Sequence, residues 1–279
     1  MSLLNEVLKV VRYYGIHPKK RLGQNFLVDS DVLDRLVKCA MLTSKDIVLE
    51  IGAGLGFLTE VLAGRCGHVI AVEIDSRLVK ILKKRLSQKE NVSILHGNIL
   101  TLDIPRFNKV VSTPPYSISS PLLFWLLERK FELAVLTFQK EFADRLTASV
   151  NDRNYSRLTV TASYKAYIRT LDYIPKDSFW PVPEVDSIIV EIKPREEPPF
   201  KVDDERFFFK VVNFLFSQKN KKVRNSLILF LRSYGLKRSL CFQIAESTPF
   251  QERRVRELAP EDLGLIANVL IRRMREVAL

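Results

Sequence analysis

A doubly wound α/β sheet, mostly parallel, followed by a smaller helical domain is the fold class the sequence predicts. Three observations carry it. The apolar run 47–51 feeds straight into Gly52-Ala53-Gly54-Leu55-Gly56 and then into helical spacing, the order of a strand, a tight turn and a helix. From there to residue 138, apolar runs of strand length alternate with amphipathic segments, the signature of βαβ units. After the charged, proline-rich stretch 193–199 the pattern turns wholly helical, which marks a domain boundary. The first domain is therefore 1–195 and the second 200–279.

Taken in order, 3–14 reads as a short helix. Residues 15–27 read as a loop carrying Lys19, Lys20 and Arg21 beside Pro18 and Gly23. A helix follows Asp29, with Val32, Leu33, Leu36 and Val37 on one face. The strand 47–51 and the glycine turn precede a helix that buries Leu58, Val61 and Leu62. Gly67 and His68 break the chain before 69–75, an apolar strand of the fully buried kind. Asp75 caps a helix over 76–86. Strand 92–96 ends at Gly97-Asn98, and strand 108–112 runs into Thr113-Pro114-Pro115-Tyr116. Ser120-Pro121 reads as the cap and first turn of a helix over 122–127. Strand 133–138, a helix over 139–150, a polar loop 151–157 and strands 164–174 and 187–192 complete the domain. The last of these alternates in the manner of an antiparallel edge. In the second domain Phe207, Phe208, Val211, Val212 and Leu215 form one wide apolar face, and 251–256 and 259–270 read as further helices.

The 279 residues are 47% hydrophobic and 27% charged, with net charge +12. That composition suits a globular protein, and the charge suits either a polyanionic partner or a solubility role. No signal peptide and no run of about 18 apolar residues is visible, so no membrane span is expected. Cys39, Cys66 and Cys241 form no C-x-x-C pair, and His17, His68 and His96 stand apart. That usage suits a reducing, cytoplasmic setting without disulfides or a metal site.

The residues with chemistry gather at predicted strand ends. A strand feeding a glycine turn and a helix brings a nucleotide-like ligand against bare backbone at a helix N-terminus. Glu73 ends the next strand, where a carboxylate accepts ribose hydroxyls. Asn98 ends the third, in reach of an adenine amine. The rigid Pro114-Pro115 pair leaves carbonyl acceptors free, and Tyr116 offers a face for a base. Gly23-Gln24-Asn25-Phe26-Leu27 combines two amides with an apolar pair, fit to grip ribose or carboxylate. Lys19, Lys20 and Arg21 either contact phosphate or are a solvated run. Lys219, Lys221, Lys222, Arg224, Arg232, Lys237 and Arg238 stand in a stretch, 215–240, without an acid. That is the chain's best phosphate-binding candidate, against the alternative of a solvated helix surface.

The glycine spacing departs from the dinucleotide G-x-G-x-x-G: the third glycine comes one residue early and Glu50 precedes the turn. That arrangement resembles motif I of S-adenosylmethionine-dependent methyltransferases. Thr113–Tyr116 resembles the catalytic loop of amino-directed members. With Gly23–Leu27, Ile118–Pro121, Phe179-Trp180-Pro181-Val182-Pro183-Glu184-Val185-Asp186-Ser187, the basic run 216–227 and Arg256–Glu261, the chain resembles the small-subunit ribosomal RNA adenine dimethyltransferases from Leu22 to near its end.

The resemblance implies a Rossmann-like methyltransferase sheet with an antiparallel edge strand. It implies methyl transfer from S-adenosyl-L-methionine to the N6 amines of two neighbouring adenines in small-subunit rRNA. The partner is the immature small subunit, and a cytoplasmic monomer is expected. By position, Gln24, Asn25, Leu27, Gly52, Gly54, Glu73, Ile74, Asn98 and Thr113 fall at the cofactor. Thr113, Pro114, Pro115 and Tyr116 form the catalytic loop, and Phe179 packs on the target base. Lys19, Lys20, Arg21, Lys219, Lys221, Lys222 and Arg224 face RNA. Two residues depart from the family pattern: Asn98 stands for Asp and Thr113 for Asn. Threonine reaches less far than a carboxamide, and an acceptor lost without replacement costs roughly 10²–10³ in rate. Three readings follow: an active adenine methyltransferase, an rRNA-binding assembly factor with little or no catalysis, or a related enzyme acting on large-subunit rRNA or DNA.

Overall fold

The computed structural model describes residues 2–278. The chain divides into two compact units. One holds the residues up to Ala143 together with Tyr167–Pro194; the other holds Asp144–Ala166 and everything from Arg195 onward.

The strands are β1 (Phe26–Leu27), β2 (Ile47–Ile51), β3 (His68–Glu73), β4 (Val92–His96), β5 (Lys109–Ser112), β6 (Leu133–Gln139), β7 (Ala166–Ile174), β8 (Phe179–Trp180) and β9 (Ser187–Pro194). The helices of the first unit are α1 (Leu3–Tyr13), α2 (Ser30–Cys39), α3 (Phe57–Ala63), α4 (Ser76–Arg85) and α5 (Ser119–Leu127), and α6 (Lys140–Leu146) starts in it. Seven strands form one sheet in the order β4-β3-β2-β5-β6-β9-β7. The pairs from β4 to β6 are parallel, and β9 runs antiparallel to β6. Val69, Ile70, Ala71 and Val72 of β3 and the whole of β5 are buried, as a sheet covered on both faces requires. Short polar side chains start the helices: Asp29 accepts the Asp31 and Val32 N–H groups, and Asp75 that of Arg77. Lys109 is buried, with its ammonium on the Ala40 and Met41 carbonyls at the end of α2 and on Asp46.

Several boundaries differ from the sequence expectations. The expected antiparallel edge strand, β9, lies inside the sheet, and β7 is the edge; alternation marks a half-covered face and not an edge position. Helix α5 starts at Ser119, because a 3-10 turn over Tyr116–Ile118 runs directly into it and the Ser119 hydroxyl donates to the Tyr116 carbonyl. Pro121 then sits inside the first turn, where its missing N–H is not needed. Helix α6 stops at Leu146; beyond it Asn151 takes φ +69° and donates its N–H to the Arg256 carbonyl. The loop with Lys19–Arg21 contains a 3-10 turn, Lys20–Leu22.

The second unit is helical: α7 (Arg157–Lys165), α8 (Glu205–Phe216), α9 (Val223–Ser233), α10 (Arg238–Ser247) and α11 (Pro260–Ala278). Sequence reasoning missed α7 and began a strand at Tyr164, since Leu158, Thr159, Val160 and Thr161 look strand-like. Burial overrides that propensity: Leu158, Val160 and Tyr164 are buried, and Val160 and Tyr164 join the core of Phe208, Val211, Leu215, Leu227 and Leu270. Thr159 secures the start by accepting the Ser156 N–H and donating to the Arg145 carbonyl. Residues 144–166, expected in the first domain, thus pack with the second unit. No helix among the described residues is long and apolar enough to cross a membrane.

Candidate active site

A cavity opens at the carboxyl ends of β2, β3, β5 and β6. Strand β2 lies between β3 and β5, so the cavity sits where the winding direction of the sheet reverses, the usual ligand position in such sheets.

The glycine turn forms one wall. Gly52 and Ala53 donate their N–H groups to the Val72 carbonyl, which ties the turn to β3. Gly52, Gly54 and Gly56 have φ of +76°, +59° and +85°, conformations that side chains resist. Space is as tight as backbone. A Cβ on Gly52 would lie 3.2 Å from Pro115 Cδ, and one on Gly54 3.3 Å from the Phe26 ring. Glu73 is buried at the end of β3. One of its oxygens accepts the Gly54 N–H at 2.9 Å and the other the Asp75 N–H at 2.8 Å. Burial raises its pKa, and those backbone bonds oppose the rise.

Glu50 is only 2% exposed and lines the same cavity. Its Oε2 has no hydrogen-bond partner. Burial pushes its carboxyl up to about 8, with the Thr59 hydroxyl opposing and Glu73 adding to the rise.

The opposite wall comes from sequence-distant segments. Strands β1 and β8 pair antiparallel, Phe26 with Trp180 and Leu27 with Phe179. This two-stranded ribbon joins the Gly23–Leu27 segment to the Phe179 segment. The Val28 N–H to the Ser178 carbonyl and the Ser178 hydroxyl to Asp29 lock it. Ser112 fixes the root of the Thr113–Tyr116 loop: its hydroxyl donates to the Ile51 carbonyl and accepts the Ile51 N–H. Tyr116 meets Phe179 edge-on at 6.4 Å between centroids, and its hydroxyl bonds that of Ser187.

The register of β5 with β6 pairs Ser112 with Leu136, so Thr113 comes beside Thr137 on the same face. Both line the cavity, and the fully buried Thr137 hydroxyl has no partner. Sequence reasoning missed Thr137, and named Phe26 and Ser187 as members of motifs without a role of their own. Only strand register, which one sequence does not state, would have found the first.

Of the residues expected at the cofactor, Gln24, Asn25, Leu27, Gly52, Gly54, Glu73, Ile74 and Thr113 line the cavity. Asn98 does not: it is exposed, and its Oδ1 accepts the Leu100 N–H. The Gln24 amide is occupied by Asp75 and by the Lys19 N–H. All five expected catalytic residues, Thr113, Pro114, Pro115, Tyr116 and Phe179, are lining residues. Of the expected RNA contacts, Lys19 pairs with Asp75 while Lys20 and Arg21 are exposed. In the second unit Lys219 donates to the Arg153 carbonyl, Lys222 and Arg224 share Glu252, and Lys221 is exposed.

A mostly parallel sheet with an antiparallel strand beside β6, a glycine turn under a ribose-ready carboxylate and a Pro-Pro-Tyr loop in one cavity define an S-adenosylmethionine-dependent methyltransferase. The model of the ribosomal RNA adenine dimethylase family matches residues 16–260, and the chain belongs to that family. A Methanosarcina mazei protein named "Probable ribosomal RNA small subunit methyltransferase A" is 45% identical over 250 residues, 88% of this chain and 91% of its own length. A Thermococcus kodakarensis protein of the same name is 40% identical, covering 93% and 92%. Among solved structures, a dimethyladenosine transferase from Plasmodium falciparum superposes with TM-score 0.78 at 30% identity, covering 90% of this chain and 98% of its own. The 23S rRNA methyltransferase ErmE gives 0.67 at 29%, covering 88% and 99%.

Proposed function

We propose that this chain transfers two methyl groups to the N6 amine of each of two neighbouring adenines in small-subunit rRNA. It does so as a cytoplasmic monomer acting on the immature subunit. The observation that carries this reading is the single cavity shared by the glycine turn and the Thr113–Tyr116 loop. The family membership supports the rRNA adenine substrate, and the names of the relatives support the small subunit.

The residues present fit S-adenosylmethionine. Side chains on Gly52 or Gly54 would intrude on their neighbours, so backbone is exposed where a nucleoside must lie close. Glu73 keeps lone pairs for ribose hydroxyls, since its two oxygens accept the Gly54 and Asp75 N–H groups and a carboxylate has about four acceptor sites. The unpartnered Glu50 oxygen suits a cationic ligand. When bound, the cofactor supplies an activated methyl on a positively charged sulfur.

The chain's own residues act on the amine. Its lone pair is delocalised into the purine ring. The hydroxyl oxygens of Thr113 and Thr137 and the Pro114 carbonyl are acceptors for its two hydrogens, and accepting them frees the lone pair. The same dipoles stabilise the positive charge that builds on nitrogen. Tyr116 and Phe179 hold the base in line, which supplies much of the remaining acceleration. The methylated nitrogen is acidic and gives its proton to water, so no strong general base is required. Thr137 thus offers the acceptor that threonine in place of asparagine at position 113 withdraws.

Methyl transfer to small subunits lacking adenine methylation tests this, with mass spectrometry of the product nucleosides. Dimethyladenosine is expected. Intact subunit binding with no methylated product would instead favour an assembly factor, the reading that Thr113 favours.

A further inference from the structure

The first unit carries a cationic surface of its own, on α1 and α4. Helix α4 has the sequence Ser-Arg-Leu-Val-Lys-Ile-Leu-Lys-Lys-Arg, without an acid. At about 100° per residue, Arg77, Lys80, Lys83 and Lys84 fall within one arc of about 120°. Leu78, Val79, Ile81 and Leu82 fill the opposite face and are buried. Helix α1 lies against α4 through Val7, Val11, Leu78 and Ile81, and adds exposed Lys9 and Arg12.

A solvated face is the usual meaning of such a pattern. Three observations take this one further. Lys9, Arg12, Lys80 and Lys83 form no ion pair among the described residues, whereas Lys222 and Arg224 are held by Glu252. The acids that do pair with α4 are engaged at its ends, Asp75 by Lys19 and Arg77 and Glu60 by Arg85. And an aromatic ring stands in the patch. Tyr13 is 73% exposed, held edge-on by Tyr14 at 4.8 Å, with the Lys84 ammonium 5.7 Å from its centroid. Exposed rings among lysines are what unpaired bases stack on. The helix that carries these lysines also borders the cavity: Leu78, on its buried face, and Ile74, just before it, are lining residues. Lys84 lies about 12 Å further along the axis from Ser76.

We infer that the α1–α4 face is a second RNA-binding surface. Lys80, Lys83, Lys84, Lys9 and Arg12 take backbone phosphates of rRNA outside the target adenines, and Tyr13 receives an unpaired base. The assignment rests on the rRNA reading of the cavity above. It predicts that substrate affinity is shared between the two units and is lost in portions.

The test uses the full chain and small ribosomal subunits lacking adenine methylation. K80E/K83E/K84E reverses three charges, and K80Q/K83Q/K84Q guards against helix destabilisation by acids in the last turn. Each phosphate contact contributes roughly 0.7–0.9 to the slope of log affinity against log salt. The glutamine variant should lose about two units of slope and raise KM for subunits about tenfold. The glutamate variant should do so more strongly. Affinity for S-adenosylmethionine and kcat at saturating subunits should not change, which also certifies the fold. Tyr13→Ala should raise KM about fivefold with no change of slope, since stacking carries no counterion release. An unchanged slope and KM in both triple variants, with normal methyl transfer, would overturn the surface and leave the active-site reading standing. Absence of methyl transfer by the natural protein would fell that reading, while the salt slopes would still decide the surface.

Discussion

The two walls of the cavity are built on different principles. The glycine-turn wall is made of backbone: Gly52 and Ala53 are bonded to Val72, and Glu73 has each oxygen on a main-chain N–H. The amine wall is made of side chains. Thr113, Thr137, Tyr116 and Phe179 come from three regions of the chain, brought together by the sheet and the β1–β8 ribbon. The first wall tolerates almost no substitution, because a Cβ there meets Pro115 or Phe26. The second can exchange one acceptor for another. On the proposed reading, a threonine at position 113 is tolerable because a neighbouring strand supplies a second hydroxyl.

That contrast breaks most readily at Glu73. Replacing it by alanine removes two acceptors for the ribose and leaves the Gly54 and Asp75 N–H groups without partners. Cofactor affinity should fall roughly 10²–10⁴-fold by titration calorimetry, because hydrogen bonds to a charged group are individually strong. A loss below tenfold would mean that the turn does not depend on its carboxylate.

Glu50 stands beside the same turn without its support, and pH exposes the difference. Its carboxyl rises from 4.5 unfolded to about 8 folded through burial. Below pH 4.5 both states are protonated and nothing is lost. Between pH 4.5 and 8 the unfolded chain ionises while the folded one holds its proton, so stability falls as pH rises and levels off above 8. The loss is of order 4–5 kcal/mol at most. In Glu50→Gln the ligand-free protein should match the natural one near pH 4.5 in denaturant titrations and be clearly more stable at pH 8. Glu73, raised in the same direction, leaves a residual slope in the variant. Parallel stability curves across that range would show that Glu50 ionises freely.

What the sequence made legible follows the same division. The strand, glycine turn and helix around Gly52, and Glu73 at the next strand end, are local patterns whose spacing carries their geometry. Phe179 was placed by motif resemblance alone, and Asn25 by its amide chemistry and the same resemblance; the β1–β8 pairing that joins their segments leaves no periodic trace. Thr137 sits in an apolar run that reads as pure core, and only the register with β5 puts it beside Thr113. Asn98 lies outside the cavity lining, and its side-chain oxygen accepts the Leu100 N–H. Helix α7 failed because its β-branched residues are held by tertiary burial and by Thr159.

Within the amine wall the two threonines should prove interchangeable in part. Thr137→Val keeps the shape and removes the hydroxyl; kcat should fall about 10- to 100-fold with cofactor affinity unchanged. Thr113→Asn should raise kcat by several-fold, and should rescue most of the Thr137→Val loss when the two are combined. A Thr137→Val enzyme with full kcat would assign the acceptor role to Thr113 and Pro114 alone.

The smallest effect is expected where the wall is only steadied. The Ser187 hydroxyl is fully buried and bonds the Tyr116 hydroxyl, while the Tyr116 ring meets Phe179. Ser187→Ala and Tyr116→Phe each remove that bond and leave the ring, so each should lower kcat about fivefold, close to the net worth of one neutral hydrogen bond. The double variant should be no worse than either single one, because both remove the same interaction. Additive losses would show that Ser187 acts on the base pocket by a route other than Tyr116. Full activity of Tyr116→Phe with a loss in Ser187→Ala would show the same, and would move the steadying role to the junction of β9 with β6.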